Sequence, residues 1–114
     1  TSKGAAVVPA NQQFHDSAIK AWGYIDISGG TPTTSSGYNI NSPGDGGAGI
    51  TTITFVRPMA SGSYCVTVSP ESTNETNITS YVSNKSAAGF TVRTTVTGSY
   101  TDNIPFNFIV TGRQ

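Results

Sequence analysis

Apolar and polar residues alternate in short blocks along this chain, and the blocks recur about every ten residues between clusters of Gly, Pro, Asn and Ser. A period of two marks a strand with one buried face. Over residues 19–27, Ile19, Ala21, Gly23, Ile25 and Ile27 fall on one face, and Lys20, Trp22, Tyr24 and Asp26 on the other. Residues 37–41 predict a short second strand with Tyr38 and Ile40 on one side. The Gly-rich stretch 43–49 turns the chain into a third strand, 50–57, with Ile53 and Phe55 in step. Pro58 ends it, having no N–H to give a ladder. Four more strands follow: 63–69 with Tyr64, Val66 and Val68; 76–83 with Ile78, Ser80 and Val82; one carrying Phe90, Val92, Thr94 and Val96; and 104–112 with Ile104, Phe106, Phe108 and Val110. No stretch shows a helical period. The pattern predicts an all-β chain, an antiparallel β-sandwich of about six to seven short strands, with a small barrel as the other closed form.

The first and last strands break the simple rule. Trp22 and Tyr24 occupy the face opposite the aliphatic residues of 19–27, and Ile109 lies opposite the phenylalanines of the last strand. Each terminal strand is therefore apolar on both sides, and a sheet with one solvated face has no use for the second set. Crossing loops would cover them in one arrangement. A symmetric subunit contact through Trp22, Tyr24 and Ile109 is the favoured expectation. Residues 1–13 show no period and carry Gly4 and Pro9, so they read as a linker or extended arm from a longer protein, ahead of one domain over 14–114.

Composition narrows the function classes. Thr, Ser, Gly and Asn (17, 14, 13 and 8) supply 52 of the 114 residues, yet the net charge is zero and β-branched and aromatic residues recur, unlike a disordered chain. Six basic side chains balance six acidic ones. A nucleic-acid binder needs a concentrated basic face to displace counterions, so no nucleic-acid partner is expected. No apolar run approaches the ~20 residues of a spanning helix, so no membrane insertion is expected either. One cysteine and one histidine exclude a disulfide framework and a Cys- or His-rich metal centre, and no cofactor is expected.

Candidate chemistry is sparse. His15-Asp16-Ser17 holds the residue types of a hydrolytic triad, but adjacent side chains cannot converge as a triad requires. Paired carboxylates would cleave a glycosidic bond if held ~5–10 Å apart. Asp26, Asp45, Glu71, Glu75 and Asp102 all fall at strand ends or in loops, outside the apolar surroundings that raise a carboxyl pKa, and no enzyme is expected. The Gly44-Asp45-Gly46-Gly47 loop offers one carboxylate where calcium wants several, so it reads as a hairpin turn. Cys65 reads as a small strand residue facing away from Tyr64 and Val66. Sugar binding needs planar aromatics beside hydrogen-bonding groups, since a pyranose ring stacks an apolar face and presents hydroxyls at its edge. Ser99-Tyr100-Thr101-Asp102-Asn103 offers that set in one loop, and Arg93 adds a charge suited to an acidic saccharide. The binding candidates are thus Arg93, Tyr100, Asp102 and Asn103, with the loop from Glu71 to Asn77 next.

A family resemblance rests on the order of several short motifs. His15-Asp16-Ser17-Ala18-Ile19-Lys20-Ala21-Trp22 resembles an H-x-S-A-x-K-A-W run recurrent in C-terminal domains of bacteriophage tail fibres and tailspikes. There an S-Y-N-I/V-x-S block follows, matched in this chain by Ser36-Gly37-Tyr38-Asn39-Ile40-Asn41-Ser42 with a glycine inserted. Next come a strand similar to G-x-G-x-y-T-v-x-F (Gly47 to Phe55), a Pro58-Met59 turn, Tyr64-Cys65-Val66-Thr67-Val68, Gly89-Phe90-Thr91-Val92 and a closing Phe106-Asn107-Phe108-Ile109-Val110-Thr111-Gly112. The resemblance spans residues 14–112. It implies a trimeric β-sandwich head, similar to H-type lectins, at the extracellular tip of a virion tail fibre, attaching to a bacterial surface glycan or outer-membrane receptor. A trimerisation cap for an upstream fibre, and a polysaccharide depolymerase fragment, are the rival expectations.

Overall fold

The computed structural model describes residues 18–28, 30–72, 75–101 and 104–114. The arm 1–13 and the His15-Asp16-Ser17 segment lie outside them, as do Asp102 and Asn103. Among the described residues nine strands alternate with turns: β1 (Ile19–Ser28), β2 (Thr31–Tyr38), β3 (Gly44–Asp45), β4 (Ile50–Thr54), β5 (Cys65–Pro70), β6 (Ile78–Ser86), β7 (Gly89–Val96), β8 (Ser99–Tyr100) and β9 (Phe106–Thr111). They form two antiparallel sheets. The first has the order β2-β1-β9-β5, and the second the order β3-β4-β7-β6 with β8 also paired to β7.

The inward residues of both sheets make one core. Ala21, Ile25, Ile27, Phe106, Phe108 and Val110 from the first sheet meet Ile53, Phe90 and Val92 from the second. Phe90 and Phe108 join the layers edge to face, with ring centroids 5.2 Å apart, a geometry that sets a positive ring edge against a negative face. Phe55 and Tyr64 close one end of the core at 5.5 Å. Tyr64 is buried, and its hydroxyl reaches the carbonyls of Ser86 and Gly89, each at 2.8 Å. At Gly23 a Cβ would meet Ile40 Cδ1 at 2.8 Å and Phe108 Cε1 at 2.9 Å, so the glycine makes room for the Phe108 ring.

Four elements differ from the sequence expectation. Lys20 does not share the outer face of β1: it is 1% exposed, and its Nζ donates to the Gly112 carbonyl at 2.8 Å and the Ala18 carbonyl at 3.3 Å. The cause is a register shift between Ile19 and Ala21 against β9, which inserts Lys20 as a bulge, turns it inward and leaves Ile19 exposed. The second strand runs over Thr31–Tyr38, earlier and longer than expected, and Pro32 is its single buried residue. It is an edge strand held by backbone pairing, so it carries no apolar alternation to read. Ser99 and Tyr100, expected in a loop, form β8 instead. Gly44 and Asp45, expected in a turn, pair with β4 as β3. The other strand positions agree with the alternation to within a few residues at their ends.

Candidate functional site

The outer face of the second sheet carries a cluster built by strand register. Arg93 lies between the buried Val92 and Thr94 of β7, so its side chain points away from the core. Tyr81 of β6 pairs with Arg93, and Tyr100 of β8 pairs with Thr95. β8 thus continues along the β7 edge that β4 occupies lower down, because Thr97 and Gly98 make a tight turn with both φ angles positive, 51° and 85°. The two tyrosines flank β7 and meet across it, their hydroxyl oxygens 2.9 Å apart. Arg93 donates through Nε to the Ser83 hydroxyl at 3.0 Å.

This network separates the two phenols electrically. The hydrogen bond with Tyr81 lowers the Tyr100 pKa, and the nearby positive charge of Arg93 adds to it. Tyr81 is pushed the other way, chiefly by its hydrogen bond with Tyr100, with desolvation and the Tyr100 charge adding to it. Both rings stay open, Tyr81 at 42% and Tyr100 at 47% exposure. Chemically the cluster offers aromatic surface, two phenolic hydroxyls and one fixed positive charge. Of the expected binding residues the fold brings Arg93 and Tyr100 together, while Asp102 and Asn103 lie outside the described residues. Sequence alternation does not single out Tyr81. Its signal is its place opposite Ile78, Ser80 and Val82, but only the pairing of three strands shows what it meets.

The first sheet has a different outer face. Cross-strand rows place Tyr38, Trp22, Ile109 and Thr67 side by side, then Ser36, Tyr24, Asn107 and Ser69. Trp22 and Ile109 are direct partners and stay open, at 40% and 45%; Tyr24 is half-buried. Ile19, Trp22, Tyr24, Glu71, Asn107 and Ile109 line a shallow groove of about 740 Å³. At its polar end the Glu71 carboxylate accepts from Asn107 Nδ2 at 3.2 Å. Interaction with the Glu71 carboxylate raises the Tyr24 pKa, with desolvation and the negative charge of Asp26 adding to it. Trp22, Tyr24 and Ile109 therefore all sit on the outward face that alternation assigns them.

Other candidates resolve into structure. Asp45 accepts from the Gly47 N–H at 3.0 Å, and Gly46 and Ile50 close the turn that joins β3 to β4, the arrangement of an aspartate-capped hairpin. Cys65 is exposed on the outer side of β5. Among the described residues, no three His, Cys, Asp or Glu side chains cluster as metal ligands would. No protein-family model, curated protein or solved structure matches this chain.

Proposed function

We propose that this chain is the receptor-binding head of a tailed-phage tail fibre or tailspike, a homotrimer that attaches the virion to a bacterial surface glycan without cleaving it. The observation that carries the reading is the chemical contrast between the two outer faces. One sheet presents Trp22, Tyr24 and Ile109 around an apolar groove, and the other presents hydroxyls with Arg93, Tyr81 and Tyr100. The first suits contact with further copies of the chain, because exposed apolar patches are costly in water and symmetric association removes them. The second suits a hydroxyl-rich ligand. Weak sites on one rigid trimeric tip reinforce one another through effective concentration, so adhesion does not require a deep pocket. The order of the sequence motifs across residues 14–112 supports the phage assignment.

Two measurements test it together. Light scattering should give about three times 11.8 kDa, and the labelled protein should adsorb to host cells or to their purified surface polysaccharide. An intact oligomer with no adsorption favours the second reading, a cap that registers an upstream fibre, which the apolar groove alone would satisfy. Deletion of residues 14–114 from the whole fibre then separates them: a cap is needed for assembly, an adhesin only for attachment. Release of oligosaccharide from the polymer would point instead to a depolymerase.

A further inference from the structure

The charge distribution of the second sheet narrows the ligand. Its strands β4, β6, β7 and β8 contain two charged residues, Lys85 and Arg93, and no carboxylate. Asp45, on the edge strand β3, caps its own turn. Lys85 is engaged by the fold, its Nζ bonded to the Tyr64 carbonyl and placed 5.1 Å from the centre of that ring. Among the described strand residues, Arg93 is therefore the cation that this outer face presents. Ile50 and Tyr81 are its partners on the neighbouring strands, with Thr79, Ser83, Thr95 and Tyr100 around them. Its Nε is anchored on the Ser83 hydroxyl at 3.0 Å. An arginine held at Nε has lost part of its side-chain freedom before any ligand arrives, so less entropy is lost on binding.

We propose that Arg93, Tyr81 and Tyr100 form a subsite for an acidic saccharide: the sugar carboxylate pairs with the outer edge of the Arg93 guanidinium, and the sugar ring lies against the exposed tyrosines. The inference rests on the reading of this chain as a glycan-binding head and specifies the class of glycan. A planar fork matches a carboxylate in a way an ammonium does not. The neighbouring hydroxyls exchange hydrogen bonds with a sugar edge, and the open rings receive its apolar face. A neutral sugar would bring the cation no group of opposite charge, and a peptide or nucleic acid would make little use of the surrounding hydroxyls.

The test uses the 114-residue chain, with 3′-sialyllactose against lactose and oligogalacturonate against its methyl ester as probes, followed by NMR. The acidic member of at least one pair should shift the signals of Arg93, Tyr81 and Tyr100 and bind about tenfold or more tightly than its neutral counterpart. Arg93→Gln should remove that preference with an unchanged melting temperature, Arg93→Lys should restore part of it, and Tyr81→Phe should weaken binding about threefold. Equal binding of acidic and neutral sugars, silence of this face toward both acids, or shifts confined to the Trp22 groove would overturn the proposal. So would sodium acetate producing the same shifts at the same concentration, which would mark a simple anion site. Host adsorption distinguishes the two levels. If the chain adsorbs and Arg93→Gln adsorbs equally well, the subsite is wrong and the adhesin reading stands; if the wild type does not adsorb, the adhesin reading itself fails.

Discussion

At the scale of single residues, the motif positions hold the fold together. Asn39 adopts φ 60°, a conformation that asparagine tolerates better than most residues. From there its side chain donates to the carbonyls of Lys20 at 3.0 Å and Arg57 at 3.1 Å, and accepts from the Arg57 N–H at 2.7 Å. One side chain thereby ties β1 to the segment beyond β4. Asn39→Ala should lose all three bonds and strain the backbone, lowering stability by about 2–4 kcal/mol in a denaturant melt; a loss below about half a kcal/mol would show the knot to be incidental. The phenols offer a second check. Tyrosinate absorbance followed with rising pH should show Tyr100 ionising first and below the ordinary tyrosine range, with Tyr81 and Tyr24 above it. The sign follows from the charge: the Tyr100 anion gains from the Tyr81 and Arg93 donors, so Arg93→Gln should move its titration upward. Lys20, Asn39 and Tyr64 all hold the fold together, so motifs built on them speak to the fold.

At the scale of elements, turns decide which side chains meet. The β7–β8 hairpin carries Thr97-Gly98 with both φ angles positive, a two-residue turn of the kind that favours Asn-Gly. Threonine is β-branched and is strained there. Thr97→Asn should raise stability by about 0.5–1 kcal/mol and leave the Tyr81–Tyr100 contact in place. A thermal melt with a parallel NMR comparison would show it, and a neutral or lower midpoint would count against the turn assignment. Gly49 works in the same region from the other side. At φ 70° its missing Cβ avoids the Thr94 carbonyl and the Thr101 N–H, which would lie 2.4 and 2.9 Å away. Any side chain at 49 would push the segment after β8 off the sheet. The edge strand β2 shows the opposite case: Ser35 lies at the irregular register opposite Tyr24 and Ile25, and few of its side chains enter the core.

At the scale of the whole molecule, the sandwich keeps its two outer faces on opposite sides of one core. A change on the groove face should alter assembly and leave the Arg93 cluster alone. Ile109→Lys puts a charge in the centre of the Trp22 row at a position already 45% exposed, so the single chain should keep its fold. If the chain forms the proposed trimer, light scattering should then fall from about three times 11.8 kDa to that mass itself. The circular dichroism spectrum should not change. An unaltered oligomer would move the contact elsewhere and leave the apolar β1–β9 face without a partner to account for it.

Alternation alone determined the class of fold, the inward faces of β4, β7 and β9, and the outward placement of Trp22, Tyr24 and Ile109, because side chains in any strand must point to opposite faces in turn. It also placed Arg93 on a polar face. It did not reach Lys20, because a one-residue bulge reverses a face without changing composition. It did not reach β2, because an edge strand needs backbone partners and few apolar ones. The meeting of Tyr81 with Tyr100 over β7 is a fact of register between strands far apart in the chain, and register exists only once the sheets have formed.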